Sequence, residues 1–216
     1  MRIALLSFGS TEYTIPLANA LSRLENVLLM EPKKRVDPYI ETIKENVNLF
    51  TFHKPRMRYP TNLLMVHRII KQINRFKPDI IHFQRGYPWF NLVLPLLRRS
   101  YPLVATIHDV VSHTGDSPSS RIPPFISEMA IKHADQVIVH GMKLKEMMIE
   151  KFNKPSNNIH VVMRGDYYSS FIYDYKKSPR HEVKEQDHLV LFFGRIWEYK
   201  GLRYLIKAEP LSLIHI

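Results

Sequence analysis

The feature that most constrains this chain is a series of short apolar runs at regular intervals, at residues 3–8, 27–30, 48–52, 80–83, 103–107, 137–139, 159–163 and 189–193. Each run is of strand length and far short of the ~18 apolar residues that span a bilayer. Most consist of Ile, Val, Leu and Phe without a polar residue at every second position, which marks strands covered on both faces of a parallel sheet. Between them, residues 11–24, 61–76, 88–99, 121–133 and 142–152 space their apolar side chains three and four apart, the helical period. Strands and helices in alternation predict a doubly wound α/β domain with a parallel sheet.

Five of the seven glycines, Gly9, Gly86, Gly141, Gly165 and Gly194, fall just after a strand run. Carboxyl ends of parallel strands form the binding crevice of such sheets, and a glycine there lets backbone approach a ligand. The dinucleotide fingerprint is absent, because residues 8–11 hold one glycine where that motif needs three, so NAD and FAD are disfavoured. Near Tyr173 the periodic pattern gives way to a polar, charged stretch. The expected organisation is therefore a Rossmann-like domain over 1–175, a linker over 176–187, and a second Rossmann-like domain that begins at 188 and is truncated at 216. Residues 211–216 continue no pattern and look like read-through into a sequencing adapter, so the natural protein is expected to continue differently past Pro210.

Charge narrows the choice of partner. Lys and Arg total 31 against 20 Asp and Glu, a net charge of +11, with a pI near 9.8, which implies an anionic partner: nucleic acid, a phospholipid surface or a phosphorylated substrate. The excess is local. Residues 46–78 carry Lys54, Arg56, Arg58, Arg68, Lys71, Arg75 and Lys77 and no acid. In the helical pattern over 61–76, Arg68, Lys71 and Arg75 form one stripe beside or opposite Leu63, Val66, Ile70 and Ile73. The plain alternative is a solvated helix face. The functional reading of Lys54, Arg56, Arg58, Arg68, Lys71 and Arg75 is a surface for an acceptor or for anionic lipid, where each cation is worth about 1 kcal/mol. No nucleic-acid motif accompanies the stretch, so nucleic acid is not expected as a partner. The chain has no cysteine, which suits a reducing cytosol, and its N-terminal apolar run is too short for a signal peptide. The expectation is a cytoplasmic protein that can rest on the inner face of a membrane.

Residues 193–208 are the most specific segment. A strand ends at Gly194, Arg195 follows at once, and Lys200-Gly201 precedes a helix. Backbone amides at a helix start beside a guanidinium and an ammonium suit a diphosphate; the plain alternative is a turn with two solvated cations. This segment resembles the opening of the C-terminal domain in glycosyltransferase family 4, retaining enzymes of the GT-B fold. Residues 1–9 with the helix after them, the His108-Asp109 loop over 106–116, and the strand-helix-strand unit over 134–166 resemble that family in the same order.

The resemblance implies a hexosyltransferase-like enzyme that uses a nucleotide sugar and a sugar or lipid-linked acceptor, with no cofactor and no metal. It implies that Arg195 and Lys200 hold the donor diphosphate, that the backbone at Gly9 and Ser10 faces the same phosphates, and that His108 is the catalytic-site group beside the transferring sugar. The chain departs from the family pattern at Gly9-Ser10, where many members have two glycines, and at Arg164-Gly165-Asp166 in place of Asn-Gly before an acid. It lacks the pair of glutamates seven residues apart that contacts donor sugar and ribose in the family, so the 216 residues are expected to be inactive alone. Two other readings stand beside this one: a non-catalytic basic module binding membrane or nucleic acid, and a GT-B sugar epimerase. A zinc site at His108, Asp109 and His113 is disfavoured, because the trio lies in a loop without one-face helical spacing.

Overall fold

The computed structural model describes residues 1–84, 86–108, 123–165, 190, 192, 196 and 198–212. The chain divides into two compact units, the first made of Met1–Val110 and Ile122–Ile172 and the second of the rest. Among the described residues of the first unit, seven parallel strands answer the first seven apolar runs. They are β1 (Arg2–Ser7), β2 (Asn26–Pro32), β3 (Val47–Phe52), β4 (Ile80–Gln84), β5 (Leu103–Ile107), β6 (Gln136–Val139) and β7 (Ile159–Val161), in the order β3-β2-β1-β4-β5-β6-β7. The chain steps from β1 to β2 and β3 on one side, then returns to lay β4 on the other. That reversal opens a crevice at the carboxyl ends of β1 and β4.

Sandwiching explains the unbroken apolar runs. One face of the sheet, with Ala4, Leu6, Leu28 and Phe83, packs against Val66, Ile69 and Ile73 of α3 (Asn62–Phe76) and against Ala130 of α6 (Pro124–His133) and Met148 of α7 (Met142–Phe152). The other face, with Leu5, Val27 and Leu29, packs against Ile15 and Ala18 of α1 (Thr11–Leu21). Each of these Val, Leu, Ile, Met and Phe side chains contributes about 1.5–3 kcal/mol relative to exposure. The edge strand β7 is two residues shorter than its apolar run, because Val162 and Met163 turn outward.

Three local departures have physical causes. A short helix α2 (Lys33–Val36) and a 3-10 turn (Asp37–Thr42) fill the connection between β2 and β3, where the sequence shows no periodic pattern. The helix expected over 88–99 is broken into α4 (Pro88–Asn91) and α5 (Leu94–Leu97), since Pro95 has no N–H for the Asn91 carbonyl. Helix α3 stops where Lys77 turns left-handed at φ 51° and its N–H closes on the Ile73 carbonyl at 2.9 Å.

The second unit, by itself, shows a 3-10 turn (Glu198–Lys200) and α8 (Leu202–Ser212), the helix expected from Gly201 onward. Gly201 has φ 74°, a left-handed conformation that favours glycine, and its carbonyl accepts the N–H groups of Tyr204 and Leu205. The linker over 176–187 lies outside the described residues, as does most of the strand expected over 189–193.

Candidate active site at the switch point

After β1 the chain turns sharply into α1. The Ser7 hydroxyl accepts the N–H groups of Gly9 (3.3 Å) and Ser10 (3.0 Å), and the Ser10 carbonyl accepts those of Tyr13 and Thr14. Both loop amides therefore point inward in this structure. The outer side of Gly9 is open: a Cβ there would meet nothing within 4 Å. Gly86 differs, because a Cβ on it would stand 2.7 Å from Asn91 Oδ1 and 3.2 Å from the Ala130 methyl. Its glycine answers packing, whereas no contact among the described residues requires the one at position 9.

The loop after β3 supplies a cation to the same edge. Lys54 Nζ donates to the Phe8 carbonyl at 2.7 Å and lies 4.8 Å from the centre of the Tyr87 ring. The loop is pinned by buried Asn62, which donates to the Arg56 and Tyr59 carbonyls and accepts the Tyr87 hydroxyl at 2.9 Å, and by Trp89 Nε1 on the Met57 carbonyl. Lys54 thus stands beside Gly9, apart from the stripe of Arg68, Lys71 and Arg75 on α3. Arg56 and Arg58 are exposed on this loop, and Arg58 bonds the neighbouring Tyr59 hydroxyl.

Beneath the loop, the last residues of the strands form a buried polar row. Ser7 pairs in register with Gln84, and Gln84 with Thr106; Glu31 stands one position beyond the Leu6–Met30 pair. His82, on the same face, has Thr106 Oγ1 at 2.9 Å and Gln84 Nε2 at 3.2 Å from its Nε2. Burial pushes the His82 imidazole down to about 4, so it stays neutral. Burial also pushes the Glu31 carboxyl up to about 7, against the hydroxyls of Thr11, Ser7 and Thr14, which pull it back; Thr11 Oγ1 donates to it at 3.0 Å.

Above this row sits an imidazole pair. Ile107 pairs with Val139 at the ends of β5 and β6, so the next residues, His108 and His140, emerge side by side. His140 Nε2 lies 3.1 Å from His108 Nδ1, His140 Nδ1 lies 2.9 Å from the Val162 carbonyl, and the two ring centres are 4.9 Å apart. Tyr13, in the first turn of α1, meets both rings edge-on at 5.4 and 5.5 Å. Burial raises the Tyr13 phenol, and the Arg164 guanidinium opposes that rise. Sequence reasoning found His108 and missed His140. The signal was available in its equal offset from the end of the adjacent strand.

Of the remaining expected site residues, Arg195, Asp109 and His113 lie outside the described residues. Lys200 is exposed in the 3-10 turn of the second unit. Among the described residues no group of three or more His, Cys, Asp or Glu could hold a metal. Arg68, Lys71 and Arg75 are exposed on α3. Leu63, read as apolar-face, is 60% exposed, and so is its neighbour Leu64 at 63%. A cavity of about 570 Å³ at the opposite, amino-terminal edge of the sheet is lined by Arg98, Asp135 and Lys154 among others. Lys154 donates there to the Ile131 and Ala134 carbonyls at the end of α6, a structural task.

The fold of the first unit is similar to that of several solved structures. They include S. aureus MnaA in a co-structure with UDP (TM-score 0.63, 14% identity, 82% of this chain and 49% of that one). A UDP-GlcNAc 2-epimerase from Neisseria meningitidis bound to UDP-GlcNAc (0.55, 11%, 74% and 45%) and a glycosyltransferase from Rickettsia africae (0.52, 17%, 76% and 43%) share it too. At such identities the likeness is one of fold, and it defines the first unit as the Rossmann-like domain of a GT-B protein. The model of Glycosyltransferase Family 4 matches residues 9–165, and the chain belongs to that family. It is also similar to an uncharacterized glycosyltransferase of Methanocaldococcus jannaschii, 28% identical over 118 residues, which are 50% of this chain and 30% of that relative. The chain spans under a third of that relative and under half of each of these structures.

Proposed function

We propose that the complete protein transfers a sugar from a nucleotide-sugar donor to an acceptor hydroxyl, with retention at the anomeric carbon, in the synthesis of a glycan, polysaccharide or glycolipid. The observation that carries this reading is the grouping at the switch point. The open side of Gly9 leads into α1, and Tyr13 of α1 packs on His108, all at the carboxyl edge of a sheet belonging to a glycosyltransferase family. Structures of similar fold contain UDP or UDP-GlcNAc, which supports a nucleotide-sugar ligand.

In this mechanism the bond between the anomeric carbon and the diphosphate breaks through an oxocarbenium-like state, and negative charge collects on the departing phosphate. Arg195 and Lys200 stabilise that charge, which is the role a divalent metal takes in other transferases, so the reaction is proposed to need none. His108 hydrogen-bonds the sugar. Gly9 and Ser10 leave room for the donor's phosphates. A screen of the complete protein against nucleotide sugars tests the assignment: Arg195→Ala and Lys200→Ala should each cut turnover about 100-fold or more, and unchanged transfer in both would sink it. Isomerised donor in the absence of any acceptor would replace it with the epimerase reading.

The outward face of α3 supports a place for this reaction. Leu63 and Leu64 are exposed one turn before Arg68, Lys71 and Arg75, and α3 contains no acid, a pattern suited to an anionic lipid surface. No described helix is long and apolar enough to cross a membrane.

A further inference from the structure

The hydrogen bonds around His140 dictate which nitrogen of His108 carries hydrogen. A carbonyl oxygen only accepts, so His140 Nδ1, 2.9 Å from the Val162 carbonyl, bears its hydrogen. In a neutral ring the other nitrogen is then a bare lone pair. His140 Nε2 is therefore an acceptor, and the atom 3.1 Å away, His108 Nδ1, must be the donor. A neutral His108 with hydrogen on Nδ1 has a lone pair on Nε2.

We propose that His140 is a positioning residue that locks His108 in its Nδ1–H tautomer, so that His108 Nε2 can only accept, and that it accepts a hydroxyl of the bound sugar. The identity of that hydroxyl rests on the transferase reading; the tautomer does not. The relay runs from a backbone carbonyl after β7, through the residue after β6, to the residue after β5. Strand register thus sets the chemistry of the side chain at the crevice. A hydrogen bond to one ring nitrogen of a histidine fixes which nitrogen carries the hydrogen.

The test is a long-range 1H–15N correlation spectrum of the histidine side chains at pH 8, above the ordinary imidazole range, on the full chain. The expected result is His108 protonated at Nδ1 and bare at Nε2. His140→Phe keeps a ring against Tyr13 but offers no acceptor, and should move His108 toward its Nε2–H form. His140→Gln, whose amide oxygen can stand near the place of Nε2, should keep the original tautomer. In the complete protein, kcat/KM should fall about 10- to 100-fold in His140→Phe and return to within about threefold of wild type in His140→Gln. Hydrogen on His108 Nε2 in the wild type, or one tautomer in both wild type and His140→Phe, overturns the inference and leaves the transferase reading standing. The expected tautomers in a complete protein that processes no nucleotide sugar overturn the sugar hydroxyl and the transferase reading together, while leaving the lock.

Discussion

Replacing Glu31 by Gln should make the protein's stability less sensitive to pH, by an amount the structure sets. Glu31 is fully buried at the end of β2 under the Ser10–Thr11 turn, and burial lifts its carboxyl from the usual 4.5 to about 7. For an acid raised in this way the sign is clear. Below pH 4.5 both folded and unfolded chains hold the proton and the site carries no penalty. Between 4.5 and 7 the unfolded chain releases its proton while the folded one does not, so stability falls as pH rises. Above 7 both are ionised and the loss levels off. At about 1.4 kcal/mol per pH unit, the gap is worth about 3 kcal/mol. Gln keeps an acceptor for Thr11 and does not titrate. Urea unfolding of wild type and Glu31→Gln from pH 4 to 8.5, at equal m, should show the variant gaining about 3 kcal/mol relative to wild type across that range. A difference that stays flat within about 0.5 kcal/mol would mean that Glu31 titrates in the fold as it does in the unfolded chain and would refute the burial argument.

The two glycines of the crevice should respond oppositely to alanine. Gly86→Ala places a methyl against Asn91, which is buried and held by its own bond to the Ile126 carbonyl; thermal or urea unfolding should show a loss of about 1–3 kcal/mol. Gly9→Ala places a methyl with no described atom within 4 Å, so stability should stay within about 0.5 kcal/mol while calorimetric affinity of the complete protein for a nucleotide sugar falls. Reversing Arg68, Lys71 and Arg75 to Glu should abolish sedimentation with vesicles containing anionic phospholipid; retained sedimentation would remove α3 from the membrane reading.

Much of the fold is visible in the sequence because burial on both faces leaves an unmistakable trace. Leu5 and Leu6, or Leu28 and Leu29, face opposite sides and are all buried, which alternation could not produce. Edges and breaks are less visible. Val162 and Met163 are apolar yet exposed, and Leu63 fits the helical spacing while facing outward, because composition records hydrophobicity and not direction. Pro95 divides a periodic stretch that spacing alone reads as one helix. In the site, His108 stands out as a polar residue directly after a strand. His140 has the same placement but becomes meaningful only through the β5–β6 register. Glu31 follows the apolar run over 27–30, and nothing local announces the Thr11 hydroxyl 20 residues earlier that donates to it.

The polar residues under the crevice also explain how a strongly basic chain can arrange charge for an anionic ligand. Burying Glu31, His82, Gln84 and Thr106 together is costly unless they are mutually bonded and uncharged. Burial drives the carboxyl and the imidazole in opposite directions, each toward its neutral form. Below about pH 7 neither Glu31 nor His82 therefore carries formal charge into the floor beneath Gly9, while Lys54, a cation at this edge, stands on the rim beside the Phe8 carbonyl. A carboxylate in the same floor would repel the phosphates proposed to lie over Gly9, at an effective dielectric well below that of water. The environment that makes Glu31 expensive to ionise is thus the one that keeps the crevice compatible with a diphosphate. Glu31→Asp tests this coupling: a shorter acid leaves more room for water, should ionise at lower pH, and should weaken donor binding at pH 7 more than Glu31→Gln does. Equal donor affinities for the two variants would separate the buried carboxyl from ligand binding.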